Sequence, residues 1–123
     1  MAQTGNRKVL AVLEDLLFTV KINDAAKRNG LQVQFVKSEA DALSAAAEKP
    51  MLLILDLNVN SVDPISLIPK IKEFGRIPII AFVSHVQGEL KQRAHDAGAD
   101  MVMARSAFST NLPQILKRHA GSY

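Results

Sequence analysis

Five short apolar runs alternate with five segments of helical periodicity along this chain of 123 residues. The apolar runs, at residues 8–13, 31–36, 51–56, 77–83 and 101–104, have the length and composition of β-strands. Between them, apolar side chains recur three and four positions apart, as in Phe18, Ile22 and Ala25, which is typical of amphipathic helices. This alternation predicts an α/β fold in which helices cover both faces of a parallel sheet.

The strand sequences also predict the order of the strands in the sheet. Residues 31–36 alternate apolar and polar side chains, which indicates an edge strand, whereas residues 51–56 are apolar almost throughout and indicate a strand buried on both faces. With right-handed crossovers, an edge position for the second strand favours the order 2-1-3-4-5. We therefore predict a five-stranded, flavodoxin-like, three-layer sandwich that forms one domain over residues 1–123.

Composition excludes several classes of protein. The sequence has no cysteine, which excludes disulfides and thiolate metal sites and favours a cytoplasmic location. The first residues lack the layout of a secretory signal, and no apolar run approaches the ~20 residues of a membrane span. The net charge is +3, and the lysine and arginine residues are scattered along the chain without a dense run or interleaved aromatic residues. This distribution argues against nucleic-acid binding. We expect a cytoplasmic protein whose partners are neither nucleic acids nor membranes.

Acidic residues follow two of the predicted strands. Asp56 ends the third strand, and Glu14 and Asp15 follow the first. In the order 2-1-3-4-5 these two strands flank the switch point where open α/β sheets bind their ligands. Because a buried carboxylate without a partner is costly, we expect Asp56 to lie at the edge of the sheet, paired or in a cleft.

The sequence resembles the receiver domain of bacterial response regulators, the module of two-component and phosphorelay signalling, over residues 8–116. The resemblance is carried by Leu55-Asp56-Leu57 before a Pro-led helix, Pro78-Ile79-Ile80-Ala81 in the fourth strand and Ala97-Gly98-Ala99-Asp100 before the fifth. It implies the flavodoxin-like fold and a signalling role that is not enzymatic. It also implies that Asp56 stands at the position that accepts a phosphoryl group from a histidine kinase.

The resemblance further implies an acidic pair after the first strand that holds Mg²⁺. The length of the first helix places Leu13 and Glu14 at these positions, and a shift by one residue would place Glu14 and Asp15 there. Mg²⁺ requires oxygen ligands, and leucine offers none. The predicted magnesium ligands are therefore Glu14, Asp15, Asp56 and the backbone carbonyl of Asn58, with weak or absent binding expected.

Two positions that move in the family's switch carry valine in this sequence. Val83 stands at the position of the family's Thr or Ser hydroxyl, and Val102 at that of its aromatic residue. Valine cannot donate a hydrogen bond to a phosphoryl oxygen. Ser84 is adjacent, but side chains alternate along a strand, so we expect Ser84 to point elsewhere.

Arg105 and Ser106 also depart from the family's pattern. Arg105 stands at the position of its lysine and Ser106 at that of the following proline. Arginine keeps the charge but offers a planar fork, so the exchange is not conservative at a phosphate site. We expect Arg105 to form an ion pair with Asp56 or Glu14 in preference to a phosphate contact.

These departures predict a degenerate receiver, or pseudo-receiver, that acts through protein contacts. The family's usual output face consists of the fourth helix, fifth strand and fifth helix, where a basic rim with adaptable methionines suits an acidic partner. The candidate partner-binding residues are Lys91, Met101, Met103, Ser106 and Lys117.

Two alternatives remain open from the sequence. One is a functional response regulator that a histidine kinase phosphorylates on Asp56. The other is a small flavodoxin-like enzyme or ligand-binding protein, against which the chain shows no glycine-rich phosphate loop after its first strand.

Overall fold

A computed structural model describes residues 7–84 and 88–120. Its parallel sheet has the strand order β2-β1-β3-β4-β5, formed by β1 (Lys8–Val12), β2 (Gln32–Val36), β3 (Leu52–Asp56), β4 (Ile79–Val83) and β5 (Met101–Ala104). The helices are α1 (Leu16–Arg28), α2 (Glu39–Ala46), α3 (Pro64–Lys72), α4 (Gly88–Ala97) and α5 (Arg105–Ala120). None of these helices has the length and apolar composition needed to cross a membrane. The predicted fold class and strand order are confirmed.

The sheet separates two apolar cores. α1 and α5 cover one face, where Ile22 and Phe108 are fully buried, and α2, α3 and α4 cover the other, where Ile68 is fully buried. Every residue of the central strands β3 and β4 is buried, whereas β2 at the edge is mostly half-exposed. This difference explains the uninterrupted apolar runs of the central strands and the alternating pattern of β2. The carboxyl ends of β1 and β3 meet at the switch point of the sheet.

α5 begins earlier than the sequence pattern indicated. A proline is favoured in the first turn of a helix, so Pro113 by itself predicts a start after Ser109 or Thr110, but α5 begins at Arg105, directly after β5, and continues through Pro113. Its buried stripe consists of Phe108, Leu112 and Leu116. Because these side chains lie four residues apart on one helical face, their burial outweighs the hydrogen bond lost at the proline.

Asp100, the last residue of the motif before β5, joins three elements. Its Oδ2 accepts hydrogen bonds from the Ile79 N–H and from Lys72 Nζ, each at 2.7 Å, and Lys72 Nζ also donates to the Ile77 carbonyl at 2.9 Å. Burial by itself raises the pKa of Asp100, but the hydrogen bonds from Lys72 and Ile79 lower the pKa below its ordinary value. Asp100 thus fastens α3 and the start of β4 to the beginning of β5.

Replacing Asp100 by asparagine is expected to lower the free energy of unfolding by about 1 kcal/mol at pH 7, because a half-exposed ion pair is screened by solvent. Since the folded-state pKa is lowered, this stabilisation is fully present above about pH 4 and is lost as the pH falls through the folded-state pKa. Urea unfolding at pH 7 and at about pH 3 measures both effects. Asp96→Asn is the control, because the Asp96 carboxylate accepts a hydrogen bond from the exposed Gln92 side chain on the same helix. Equal losses in the two variants at pH 7 would contradict the assignment.

Candidate functional site at the carboxyl edge of the sheet

Asp56 lies at the end of β3, next to Phe82 of β4 in the strand register. It is 8% exposed, and among residues 7–84 and 88–120 it is the one buried side chain that carries a charge. Its Oδ1 accepts a hydrogen bond of 2.8 Å from the Asn58 N–H. Burial raises the pKa of Asp56, the Asn58 hydrogen bond lowers it in part, and the charge of Glu14 raises it further. The net effect is a pKa above the ordinary value of an aspartate.

Glu14 is the second acid that the structure brings to this edge. It follows β1 and its Oε1 accepts a hydrogen bond of 3.0 Å from the Asn60 N–H. This contact ties the loop between β3 and α3 to the end of β1. Because the charge of Glu14 contributes to the raised pKa of Asp56, the two carboxylates share one electrostatic environment.

Asp15 and Arg105 form an ion pair that is separate from the carboxylates of Asp56 and Glu14. Asp15 caps α1, since its Oδ1 accepts a hydrogen bond of 3.1 Å from the Phe18 N–H, and its Oδ2 forms an ion pair with Arg105. The Arg105 guanidinium carbon lies 4.4 Å from the centroid of the Phe18 ring. The partner of Arg105 is therefore Asp15, and the predicted partners Asp56 and Glu14 are wrong. The carboxylate of Asp15 is favoured by the N-terminus of α1, and the guanidinium of Arg105 is favoured by the face of the Phe18 ring. Both interactions stabilise this pair in addition to the ion pair itself.

The residues at this edge do not fit the three-carboxylate magnesium site that the resemblance implies. Leu13 is 1% exposed and packs into the core beneath α1 and α5, and Asp15 is engaged by Arg105 and the α1 cap. Within the described ranges, no three His, Asp or Glu side chains come together in an arrangement that could hold a metal ion. The donors that remain are the carboxylates of Asp56 and Glu14 and the backbone carbonyl of Asn58.

The two valines of the predicted switch are packing residues. Val83, the last residue of β4, is 2% exposed, and Val102 of β5 is 6% exposed; both lie in the core covered by α2, α3 and α4. Ser84, in contrast, donates from its N–H at 2.7 Å and from its hydroxyl at 2.9 Å to Asn58 Oδ1. The sequence reasoning missed this contact because it extended the alternation of side chains beyond Val83, where the strand ends.

The predicted partner-binding residues fall on both sides of β5. Met101 and Met103 line a groove of about 200 Å³ between β5 and α5. Ser106 and Lys117 are exposed on α5, whereas Lys91 is exposed on α4, across the sheet. The structure thus brings the two methionines together in one groove and places Lys91 on α4, on the other side of β5.

α1 carries an exposed apolar surface that the sequence analysis did not single out. Leu16, Leu17 and Val20 are 74%, 81% and 60% exposed. Leu17 and Val20 also line a groove of about 460 Å³ between α1 and α5. The signal was present in the sequence, because these residues lie out of phase with the buried stripe of α1 that contains Phe18 and Ile22.

The comparisons with known proteins agree with this fold. No protein-family model matches the sequence. The chain is 27% identical over 119 residues to the KDP operon transcriptional regulatory protein KdpE of Escherichia coli. The aligned region covers 93% of the chain and 53% of KdpE. It therefore spans about half the length of this curated relative. The structure is similar to that of a response regulator from Hahella chejuensis, with a TM-score of 0.83 and 21% identity over 95% of this chain and 97% of that one. It is also similar to a response regulator from Thermotoga maritima, with a TM-score of 0.79 and 22% identity over 95% of this chain and 99% of that one.

These likenesses concern the fold and, for KdpE, also the sequence. The solved structures share the fold, and KdpE adds a likeness of sequence over nearly the whole chain. The chain has the fold of response-regulator receiver domains, in agreement with the resemblance of its sequence motifs.

Proposed function

We propose that this receiver domain acts through protein contacts, with weak or no magnesium-dependent phosphorylation at Asp56. The observation that carries the proposal is the position of Arg105, which pairs with Asp15 and lies over the ring of Phe18. Among the described residues, no cation forms an ion pair with Asp56. Phosphoryl transfer depends almost entirely on positioning and on neutralising charge. A phosphoryl group on Asp56 would add about −1.5 to −2 charges without a cation in place to receive them.

Two further features support the proposal. The side chain of Val83 offers no hydroxyl to a phosphoryl oxygen, and it is packed in the core. Leu13 is buried at a position where the resemblance implies a metal-binding acid. One replacement removes a hydroxyl that could donate to an added phosphoryl group, the other removes a ligand for the metal ion, and each puts an apolar contact in its place. They favour a stable scaffold over a phosphorylation switch.

The surface of the domain supports a role in protein contacts. The proposed partner carries acidic groups and docks on the face of α4, β5 and α5, where Met101 and Met103 line a groove. α5 contains Lys117 and Arg118 and no acidic residue, so its charge is complementary to such a partner. The exposed apolar residues of α1 supply a second surface of the kind that marks contact sites. As part of this proposal, residues 1–123 act as one cytoplasmic domain that binds neither nucleic acid nor membrane.

The alternative is a working response regulator that a histidine kinase phosphorylates on Asp56. One observation favours it, because Asp56 keeps its position at the end of β3 with Glu14 beside it. In this case Arg105 would have to leave Asp15 and Phe18 when the phosphoryl group is added.

Incubating the protein with acetyl phosphate and Mg²⁺ separates the two functions. We expect the intact mass to remain that of the unmodified chain, because the charge of an added phosphoryl group would be left without a cation. Asp56→Asn serves as the matched control, since it lacks the acceptor but keeps an oxygen for the Asn58 N–H. A magnesium-dependent gain of one phosphoryl group that is lost in Asp56→Asn would overturn the proposal and establish the alternative.

A further inference from the structure

The exposed surface of α1 is apolar at the beginning of the helix and charged toward its end. Leu16, Leu17 and Val20 are 74%, 81% and 60% exposed. Further along the helix the exposed residues are charged, namely Lys21, Asp24, Lys27 and Arg28. Removing three large apolar side chains from water is a favourable driving force for association, so another molecule is expected to cover this surface.

The groove between α1 and α5 lies beside these exposed residues. It has a volume of about 460 Å³, and its apolar lining includes Ala25, Leu112 and Pro113. Lys21 Nζ donates a hydrogen bond of 2.7 Å to Ser109 Oγ, so the ammonium group of Lys21 is held at α5. The groove therefore offers an apolar depression that is large enough to receive a leucine side chain from another molecule.

The charges that line the groove have both signs. Lys21 and Arg28 are cationic, and Asp24 between them is anionic. A partner of uniform charge would place some of its groups opposite a like charge, which costs affinity. A second copy of α1 matches this pattern, because Glu14 precedes the helix and Lys27 and Arg28 end it. In an antiparallel pair the acidic end of each helix lies beside the basic end of the other, and the two helix dipoles are opposed.

We propose that two copies of this chain associate through antiparallel α1 helices, with Leu17 of each copy seated in the groove between α1 and α5 of the other. A twofold axis near Val20 brings Leu17 of one copy beside Ala25 of the other and places the two Val20 side chains next to each other. Because both copies use the same surface, the assembly is closed at two chains. The proposal goes beyond the proposed function, since it does not depend on the chemistry at Asp56.

The size of this surface predicts a weak dimer whose population depends on concentration. The apolar patch of each copy consists of three side chains, so the total buried area falls below the ~1,200 Å² of standard stable interfaces. We expect a dissociation constant of about 10–100 μM. Sedimentation equilibrium of the full chain, from about 5 μM to about 1 mM, measures this constant. A protein that remains monomeric over the whole range would overturn the proposal.

Leu17→Ser is expected to raise the dissociation constant about tenfold or more, because serine leaves the groove of the other copy unfilled. Since Leu17 is 81% exposed, the melting temperature of the dilute protein should change by less than about 3 °C. Met101→Ser is the matched control, because Met101 is an exposed apolar residue of the groove between β5 and α5, and it should leave the constant unchanged. Association that is lost in Met101→Ser but kept in Leu17→Ser would place the contact on the other groove and refute the proposal.

The absence of cysteine from the chain allows the orientation of the two helices to be tested with single introduced thiols. Val20→Cys lies near the twofold axis, so mild oxidation with copper phenanthroline is expected to link two copies by a disulfide. Lys27→Cys is the matched control, because Lys27 is exposed two turns further along the same side of α1. In the antiparallel pair its two thiols lie about 20 Å apart along the helix axis and do not cross-link. Equal cross-linking of the two variants, or none in Val20→Cys, would refute the antiparallel pair.

Discussion

Phe82→Ala is expected to lower the free energy of unfolding by about 3–5 kcal/mol, the largest loss we predict for a single substitution in this domain. Phe82 is fully buried, and its ring centroid lies 5.2 Å from that of Phe18 and 4.7 Å from that of Phe108. The three rings join β4 to α1 and α5, so alanine would leave a cavity at the centre of this core. Aromatic pairs of this kind contribute about 0.5–1.5 kcal/mol beyond the burial of their surface.

The same cluster supports the arrangement at Arg105. Phe18 packs against Phe82 on one side and lies under the Arg105 guanidinium on the other, so a cavity at position 82 removes the support of the ring. Phe35→Ala on the edge strand β2 is the control, because Phe35 is only partly buried against this core. We expect it to cost less than half as much as Phe82→Ala in urea unfolding. Equal costs would mean that the three-ring cluster adds nothing to ordinary burial.

The parts of the fold that were predicted depend on local patterns. The apolar run that ends at Asp56 is buried only if its strand is covered on both faces, as β3 is. The alternation of apolar and polar side chains in residues 31–36 fits a strand at the exposed edge of the sheet, as β2 is. An aspartate followed by a proline, as in Asp63-Pro64, is typical of the start of a helix, and the Asp63 side chain accepts hydrogen bonds from the first turn of α3. Each of these features is decided within about six neighbouring residues, so the sequence is sufficient to predict it.

The parts of the site that were not predicted depend on competition between side chains far apart in the chain. Three acids reach the same edge of the sheet, and spacing does not decide which of them pairs with Arg105. Phe18 favours the pair with Asp15, because its ring contacts the Arg105 guanidinium when the guanidinium is beside Asp15. The contact between Asn58 and Ser84 was missed for a related reason, since it joins two loops whose geometry no periodic pattern describes.

Asp56→Asn is expected to stabilise the domain by about 1–2 kcal/mol at pH 7, which corresponds to a rise in Tm of about 3–6 °C. Burial raises the pKa of Asp56, and Glu14 raises it further against the opposing effect of the Asn58 N–H. Between the unfolded and the folded pKa, the native state binds more protons than the unfolded state, so stability falls as the pH rises. Asparagine carries no charge and keeps an oxygen for the Asn58 N–H, so it avoids this loss.

The pH dependence of the melting temperature shows whether the charged Asp56 carboxylate destabilises or stabilises the folded protein. The advantage of Asp56→Asn should be largest above the raised pKa of Asp56 and should disappear at about pH 4 and below, where the carboxyl is protonated in the native state. Asp24→Asn, at an exposed position of α1, should change stability by less than about 0.5 kcal/mol throughout. If Asp56→Asn were instead less stable than the wild type at pH 7 in the presence of Mg²⁺ but not in its absence, the carboxylate would be held by the metal ion. That result would favour a functional magnesium site over the degenerate receiver, and it would direct the search for a ligand to the space between Asp56 and Glu14.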